Sequence, residues 1–397
     1  MRRPWLRSRH RLPALVAAAV TLVLQVGCWD YHPVTTRAFV LGMAIDRAPE
    51  GGYVVTVEVP QPSRMKASGG GATAGGGGDS TTAFYLHQET GPTLADALEK
   101  IQSRMDRALF FGHMRTIVFG EDLAADGLKP ITEELVRWPQ IDKLSWPMVA
   151  RGTKPEEFLT IMNHQEKAPA LFLSKVFDNA RIQDMTIPVT LFEFFIRGWE
   201  PGFFEGLPTV EMAPGTTPSG GARPGLGTIV QGFALFNDWK MVGWLSPEET
   251  RDLLFLRGKA AHISLSLPRE SQGEYDEVRD LSGRVRIKPI IDPGGRVRFV
   301  IDVRVTGNVA EVAGRQMKLT SADIFGLQRE TEGFLQERLR ATMEHLKESG
   351  ADELGLGSRL FYEDPKVWEK LDWDKYYPTV PVEIRVRVRL RRKGLTT

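Results

Sequence analysis

Few side chains in this 397-residue sequence have the types and spacing that chemistry requires. The 7 histidines include no HxxxH or HExxH pair, the spacing that sets two zinc ligands on one helix face. His113 falls beside a predicted strand rather than opposite a carboxylate, so neither metal binding nor general-base work is expected of it. Asp364, Asp372 and Asp374 are the closest approach to the paired acids that act on glycosidic bonds. They flank Trp368, Trp373 and Tyr376 in a stretch that reads as an ordered loop, where solvated caps are the expectation. No GxSxG nucleophile elbow occurs. The glycine tract Ser68–Gly78 lacks the Lys-Ser/Thr of a phosphate-binding loop, and no strong strand delivers it to a helix. It reads as a flexible loop. Arg385, Arg387, Arg389 and Arg391 line one face of a terminal strand, where they either bind an acidic partner or headgroup, or simply face solvent beside cross-strand glutamates. The solvated strand, its charges discouraging edge-to-edge pairing, is the expected role. No catalytic, cofactor-binding or metal site is expected, and the chain reads as a non-enzyme.

One cysteine remains, Cys28, and with a single thiol no intrachain disulfide or multi-cysteine metal site can form. It follows a basic segment, residues 1–12, and an apolar run from Leu12 to Val26 interrupted only by Pro13, Thr21 and Gln25. That is the layout of a signal peptide, and the run falls short of the about 20 apolar residues that span a bilayer. The sequence Leu24-Gln25-Val26-Gly27-Cys28 resembles a lipobox, in which the cysteine receives a diacylglycerol and becomes the mature N-terminus. Gln25 stands where that pattern usually has leucine. Residues 1–27 are therefore the expected signal peptide and Cys28 the expected lipid anchor on the bilayer. Hydrophobic residues at 42% and charged residues at 25% are ordinary globular values and argue against collagen, wholesale disorder or a polytopic membrane protein. The chain holds 51 basic and 50 acidic residues; without the five arginines of the first 27 residues the balance is 46 to 50. No general attraction to nucleic acid follows.

The elements around these residues divide the chain in two. Phe39–Asp46 and Tyr53–Val59 predict a hairpin, and a further strand is expected near Thr82–His87. Thr93, with Asp96 as capping-box partner, opens a helix with Leu94, Ala97, Leu98 and Ile101 in its apolar stripe. Arg115–Phe119 and Met148–Arg151 read as strands, Leu128–Trp138 as a helix, and Thr153 with Glu156 as the cap of another helix through Met162. This α/β unit is expected at 28–205. Residues 206–227, rich in Pro and Gly, are the expected linker. Beyond it, 228–397 predicts a hairpin through Asn237-Asp238 and a helix capped by Ser246, Pro247 and Glu249 and stopped by Gly258. Strands follow near 260–267, 284–291 and 297–306, then a long helix from Ser321 to Glu348 and a strictly alternating strand from Val380 to Arg391. The fold class is α+β, with an antiparallel-rich C-terminal sheet around one long helix.

Several segments are similar to one family. Cys28-Trp29-Asp30 and Leu41–Asp46 resemble the start of the Ger(x)C (GerAC-like) spore germination lipoproteins, as does Phe111–Glu121 with its Gly112-His113 before a hydrophobic strand. In the C-terminal half Gly232–Phe236, Val242–Leu245, Glu248–Arg251, Leu256–Lys259, Ile287-Lys288-Pro289, Gly307–Glu311 and Arg391–Gly394 match in family order. The resemblance implies the lipoprotein component of a nutrient germinant receptor, anchored on the extracytoplasmic face of the spore inner membrane beside the integral membrane A and B subunits of that receptor. It implies a mixed α+β fold of three domains, with the unit at 28–205 split into two subdomains, and no transferable catalytic or ligand residues. The alternative is a lipid-anchored solute-binding protein that holds the nutrient itself, which requires a cleft with convergent polar groups. A wall-active hydrolase is disfavoured by the missing motifs.

Overall fold

A computed structural model describes residues 33–61, 83–161, 166–178, 184–214, 226–269, 274–311 and 320–392. Cys28, the signal segment and the glycine tract Ser68–Gly78 lie outside the described residues. The N-terminal part comprises β1 (Arg37–Phe39), β2 (Gly42–Arg47), β3 (Tyr53–Pro60), β4 (Phe84–Gly91), α1 (Leu94–Ser103), β5 (Ala108–Phe110) and β6 (Thr116–Phe119). It continues through α2 (Glu121–Asp126), α3 (Lys129–Arg137), β7 (Trp146–Arg151), α4 (Pro169–Asp178), α5 (Leu191–Arg197) and β8 (Leu207–Pro214). Next come β9 (Leu226–Asn237), β10 (Lys240–Leu245), α6 (Pro247–Leu256), β11 (Ile263–Pro268), β12 (Tyr275–Ile291) and β13 (Val297–Glu311). The chain then forms α7 (Ser321–Glu348), α8 (Leu356–Glu363), α9 (Pro365–Trp368), α10 (Trp373–Tyr376) and β14 (Val382–Arg392).

Eight strands form one mixed sheet in the order β10-β9-β8-β7-β6-β2-β3-β4, with a parallel centre from β2 to β8. Both faces are covered, which is why β6 reads as a continuous apolar run rather than an alternation. Met43, Ile45, Ile117 and Phe119 pack with α1, α2, α3 and α5 on one face. Ala44, Val118, Met148 and Ala150 pack with Leu173 and Phe177 of α4 on the other.

This sheet crosses the boundary expected at 206–227. Leu207–Pro214 is an inner strand, parallel to β7 and antiparallel to β9, and β9 and β10 complete the same sheet. Pro208 and Pro214 disguise β8, because a proline cannot donate to a ladder. The structure accommodates Pro208 at a register shift between Pro208 and Val210. Residues 215–225 of the expected linker lie outside the described residues.

N-cap side chains open α1, α5, α6, α7 and α9. Ser246 and Glu249 form the expected reciprocal box at α6, and Gly258 follows with φ +67°, the left-handed conformation suited to a helix stop. Thr93 accepts from the Asp96 N–H at 3.1 Å, but the Asp96 carboxylate turns to Lys100 at 2.8 Å, so that expected box is half made. The expected helix from Thr153 is instead a five-residue 3₁₀ turn, Pro155–Leu159, whose N-cap is Lys154 with no side-chain bond. The β9–β10 hairpin turns at Asp238 and Trp239, both at positive φ, as a two-residue loop between twisted strands requires. Burial of the Trp239 ring against Phe194 and Phe204 compensates its backbone strain.

The C-terminal sheet has the order β11-β12-β13-β14, antiparallel except for the β13–β14 pair, which the crossover helix α7 joins in parallel. Leu327, Leu335, Leu339, Met343 and Leu346 of α7 are buried, while Ile324 and Phe334 are partly buried against the same core. Ile384, Val386, Val388 and Leu390 of β14 face inward, and Arg385, Arg387, Arg389 and Arg391 face out, as the alternation requires. Their cross-strand neighbours differ from the expected glutamates. Asp302 opposes Arg385, but Arg304 opposes Arg387, Thr306 opposes Arg389 and Asn308 opposes Arg391. The architecture is α+β, and no helix among the described residues is long and apolar enough to cross a membrane.

Candidate functional site

Where the eight-stranded sheet meets the C-terminal elements, a cleft of about 470 Å³ opens over a buried knot of charge. Its centre is Arg257, the residue that ends α6, with a side chain 7% exposed. The arginine Nε donates to the Glu353 carbonyl at 2.9 Å, Nη1 to Glu205 Oε1 at 2.5 Å, and Nη2 to Glu353 Oε2. Glu353 is 0% exposed and also accepts from the Gly206 N–H at 3.3 Å. The guanidinium lies 5.6 Å from the Phe233 ring centroid and 6.0 Å from that of Phe203, so its faces are covered by aromatic carbon.

Three chain regions converge here. Glu205 precedes β8, Arg257 follows α6, and Glu353 lies in the bend between α7 and α8. The neighbouring Asp352 accepts from the N–H groups of Leu356 (2.9 Å) and Gly357 (2.7 Å), fixing the start of α8, and from Trp373 Nε1 at 3.2 Å. Burial pushes the Asp352 carboxyl up to about 6 against those hydrogen bonds. Burial and the nearby Glu205 raise Glu353, and Arg257 pulls it back only in part. Such a knot is a joint between chain segments; its donors are spent on internal partners rather than aimed at a substrate. The rim of the cleft carries Lys259, Arg359 and Glu363, with Glu200 accepting from Ser358 Oγ at 2.5 Å.

The residues singled out from the sequence do not converge on this cleft. His113 is exposed and packs its ring 5.3 Å from Phe39 and 5.9 Å from Phe110. Asp364 caps α9 through the Val367 N–H at 3.1 Å, Asp372 pairs with Lys375 at 2.5 Å, and Asp374 is exposed. Among the described residues no cluster of three or more His, Cys, Asp or Glu side chains is arranged to hold a metal ion. Nothing local in the sequence marks Arg257, because its partners lie 52 and 96 residues away.

A second buried acid is Glu58 on β3. It accepts from the Ala170 N–H at 3.0 Å, its other oxygen is unpartnered, and burial pushes its pKa up to about 8. An acid whose pKa is raised on folding binds its proton more tightly in the native state, so stability falls as pH rises from about 4.5 to about 8. Between those values Glu58 alone contributes a slope of at most about 1.4 kcal/mol per pH unit. Glu58→Gln keeps the Ala170 bond and removes this titration. Denaturant melts at several pH values should show a flatter profile and higher stability at pH 8 than the parent; an unchanged profile would place the Glu58 proton elsewhere.

Comparison with known proteins decides the family. A family model described as the spore germination protein N-terminal domain matches residues 30–202, and one described as spore germination B3/GerAC-like, C-terminal, matches 231–394. The chain belongs to the GerAC family of spore germination proteins. Spore germination protein KC of Bacillus subtilis (strain 168) is 23% identical over 96% of this chain and 95% of its own length. Putative spore germination protein YfkR of the same strain is 24% identical over 97% and 96%. The crystal structure of the GerBC protein shares the fold, with a TM-score of 0.54, 18% identity, and coverage of 91% of this chain and 99% of that one. A role in spore germination follows for this GerAC family member. The two family matches stop and start on either side of β8, the strand that carries the sheet from one region to the other.

Proposed function

We propose that this GerAC family member is the lipid-anchored, non-enzymatic component of a nutrient germinant receptor, acting through contacts with the integral membrane A and B subunits. The observation that carries the reading is the ordered pair of family matches on one chain, 30–202 and 231–394. The sequence around Cys28 supports an anchor on the extracytoplasmic face of the spore inner membrane, after removal of a signal peptide at 1–27. Two or more acyl chains on one residue give stable attachment, at about 0.8 kcal/mol per buried CH₂. In this reading β8 and the Arg257 knot make the units at 28–205 and 228–397 a stiff body held beside its membrane partners.

Cys28→Ala is expected to move the protein from the membrane fraction to the soluble fraction of spores and to slow nutrient-triggered germination. Mass spectrometry of the mature N-terminus checks the chemistry. An unmodified thiol at Cys28, or a mature chain that begins elsewhere, overturns the anchor.

The cleft over Arg257, lined by both halves of the chain, favours one second reading, a solute-binding protein that holds the nutrient itself. The rim cations Lys259 and Arg359 would then contact the solute.

A further inference from the structure

We infer that the open face of the C-terminal sheet docks on the anionic phospholipid headgroups of a bilayer. Register builds the surface. Arg284, Arg304 and Arg387 lie side by side across β12, β13 and β14, and the next row is Arg286, Asp302 and Arg385. Lys288 extends the array along β12, and Arg389 and Arg391 extend it along β14. All of these cations are exposed. Glu383 pairs with Arg298 at 3.4 Å and Arg385 at 2.7 Å. Among the described residues Arg284, Arg304, Arg387, Arg389 and Arg391 make no ion pair.

Folding does not explain this arrangement. Like charges directly opposite one another weaken a sheet, and neighbouring strands are only about 4.8 Å apart. Charges on an edge strand can deter unwanted pairing, but here the edge is already covered. The Val388 N–H donates to Glu332 Oε1 at 2.8 Å and the Leu390 N–H to Gln328 Oε1 at 3.2 Å, both from α7. Moreover, Arg304 lies on β13 with a strand paired on each side, where there is no edge to protect. The face therefore tolerates repulsion that a bound anionic surface would relieve.

The chemistry of the face selects the occupant. A stable protein interface centres on a desolvated core depleted of charge and anchored by aromatic side chains. This face offers Ile290 at one end and otherwise arginine, lysine, small polar groups and the carboxylates Asp302 and Glu383 around the buried Val300. A headgroup layer asks only for cations on an open surface, each of which adds to the attraction to anionic lipid. Guanidinium also matches phosphate oxygens in the bidentate geometry that lysine lacks. The inference stands apart from the receptor reading, since it requires a bilayer and no protein partner.

Arginine footprinting tests it. The full chain is reconstituted with vesicles of phosphatidylcholine alone or of phosphatidylcholine with phosphatidylglycerol, treated with a neutral glyoxal reagent, and mapped by mass spectrometry. On the anionic vesicles Arg304, Arg387 and Arg389 should lose reactivity several-fold and regain it at high salt, where screening shortens the reach of charge. Arg137, whose side chain is 73% exposed, is the control and should react equally in both. Equal reactivity of the face arginines on the two vesicle types overturns the inference. Protection that occurs in native spore membranes but not on anionic vesicles overturns it too and assigns the face to a protein.

Discussion

Arg257→Met is expected to destabilise the protein by about 3–5 kcal/mol, the range for breaking a buried ion pair on one side. Methionine fills much of the same volume between Phe203 and Phe233, so the loss is one of charge and hydrogen bonds rather than packing. What remains is Glu205 and the fully buried Glu353 with no cation, beside Asp352. Glu353 and Asp352 can then stay buried only by holding their protons, which raises their folded-state pKa values further. The destabilisation should accordingly be larger at pH 8 than at pH 5, because rising pH removes those protons in the unfolded chain first. Urea melts at the two pH values measure both effects. A loss below about 1 kcal/mol at either pH would mean that water reaches the knot and that it does not tie the halves together.

Val386→Asp is the second large effect. Val386 is 7% exposed on the inner face of β14, in register with the fully buried Val303 and packed in the core that α7 closes. A carboxylate there has no cation within the core, so the charge must be neutralised or exposed, and either route opens the α7–β14 contact. We expect a loss of more than about 3 kcal/mol and an unfolded or degraded C-terminal region. Arg387→Ala, one residue along and on the outer face, should change stability by less than about 0.5 kcal/mol. With Arg304 directly opposite, the small change should be a gain. Circular dichroism melts of the pair read the strand's alternation directly. A folded Val386→Asp protein of normal stability would show that the register of β14 is wrong.

The elements that were legible have strong local signals. The helix Ser321–Glu348 has the same bounds in sequence and structure because its apolar stripe runs the full length and Gly350 lies just beyond it. The last strand announced itself by period-two alternation, and the start of α6 by Ser246, Pro247 and Glu249. What stayed hidden depends on distant contacts or on very short elements. The three-residue strands β1 and β5 are parallel partners 71 positions apart at Arg37 and Ala108, too short to show a period. Helix α5 has seven residues and a Thr190–Glu193 box that stands out only once its end is seen. β8 was masked by its prolines, and so the junction appeared as a linker.

The same division holds for function. The family-like segments were legible, because they are short local motifs. The Arg257 knot was not, since an arginine before glycine at a helix end has an ordinary role as a terminal cation. The arginine face was half legible: β14 displays its stripe, but the alignment of Arg284 and Arg304 with Arg387 depends on a register that shifts between Arg279 and Ser282.

Cross-linking in intact spores, followed by purification of the tagged full chain and mapping of the linked peptides, tests the receptor reading most directly. The expected result is cross-links to integral membrane germination proteins that co-purify with the chain, and no stoichiometric small solute in the cleft over Arg257. Recovery of the chain without membrane protein partners, carrying a bound solute there, would contradict it.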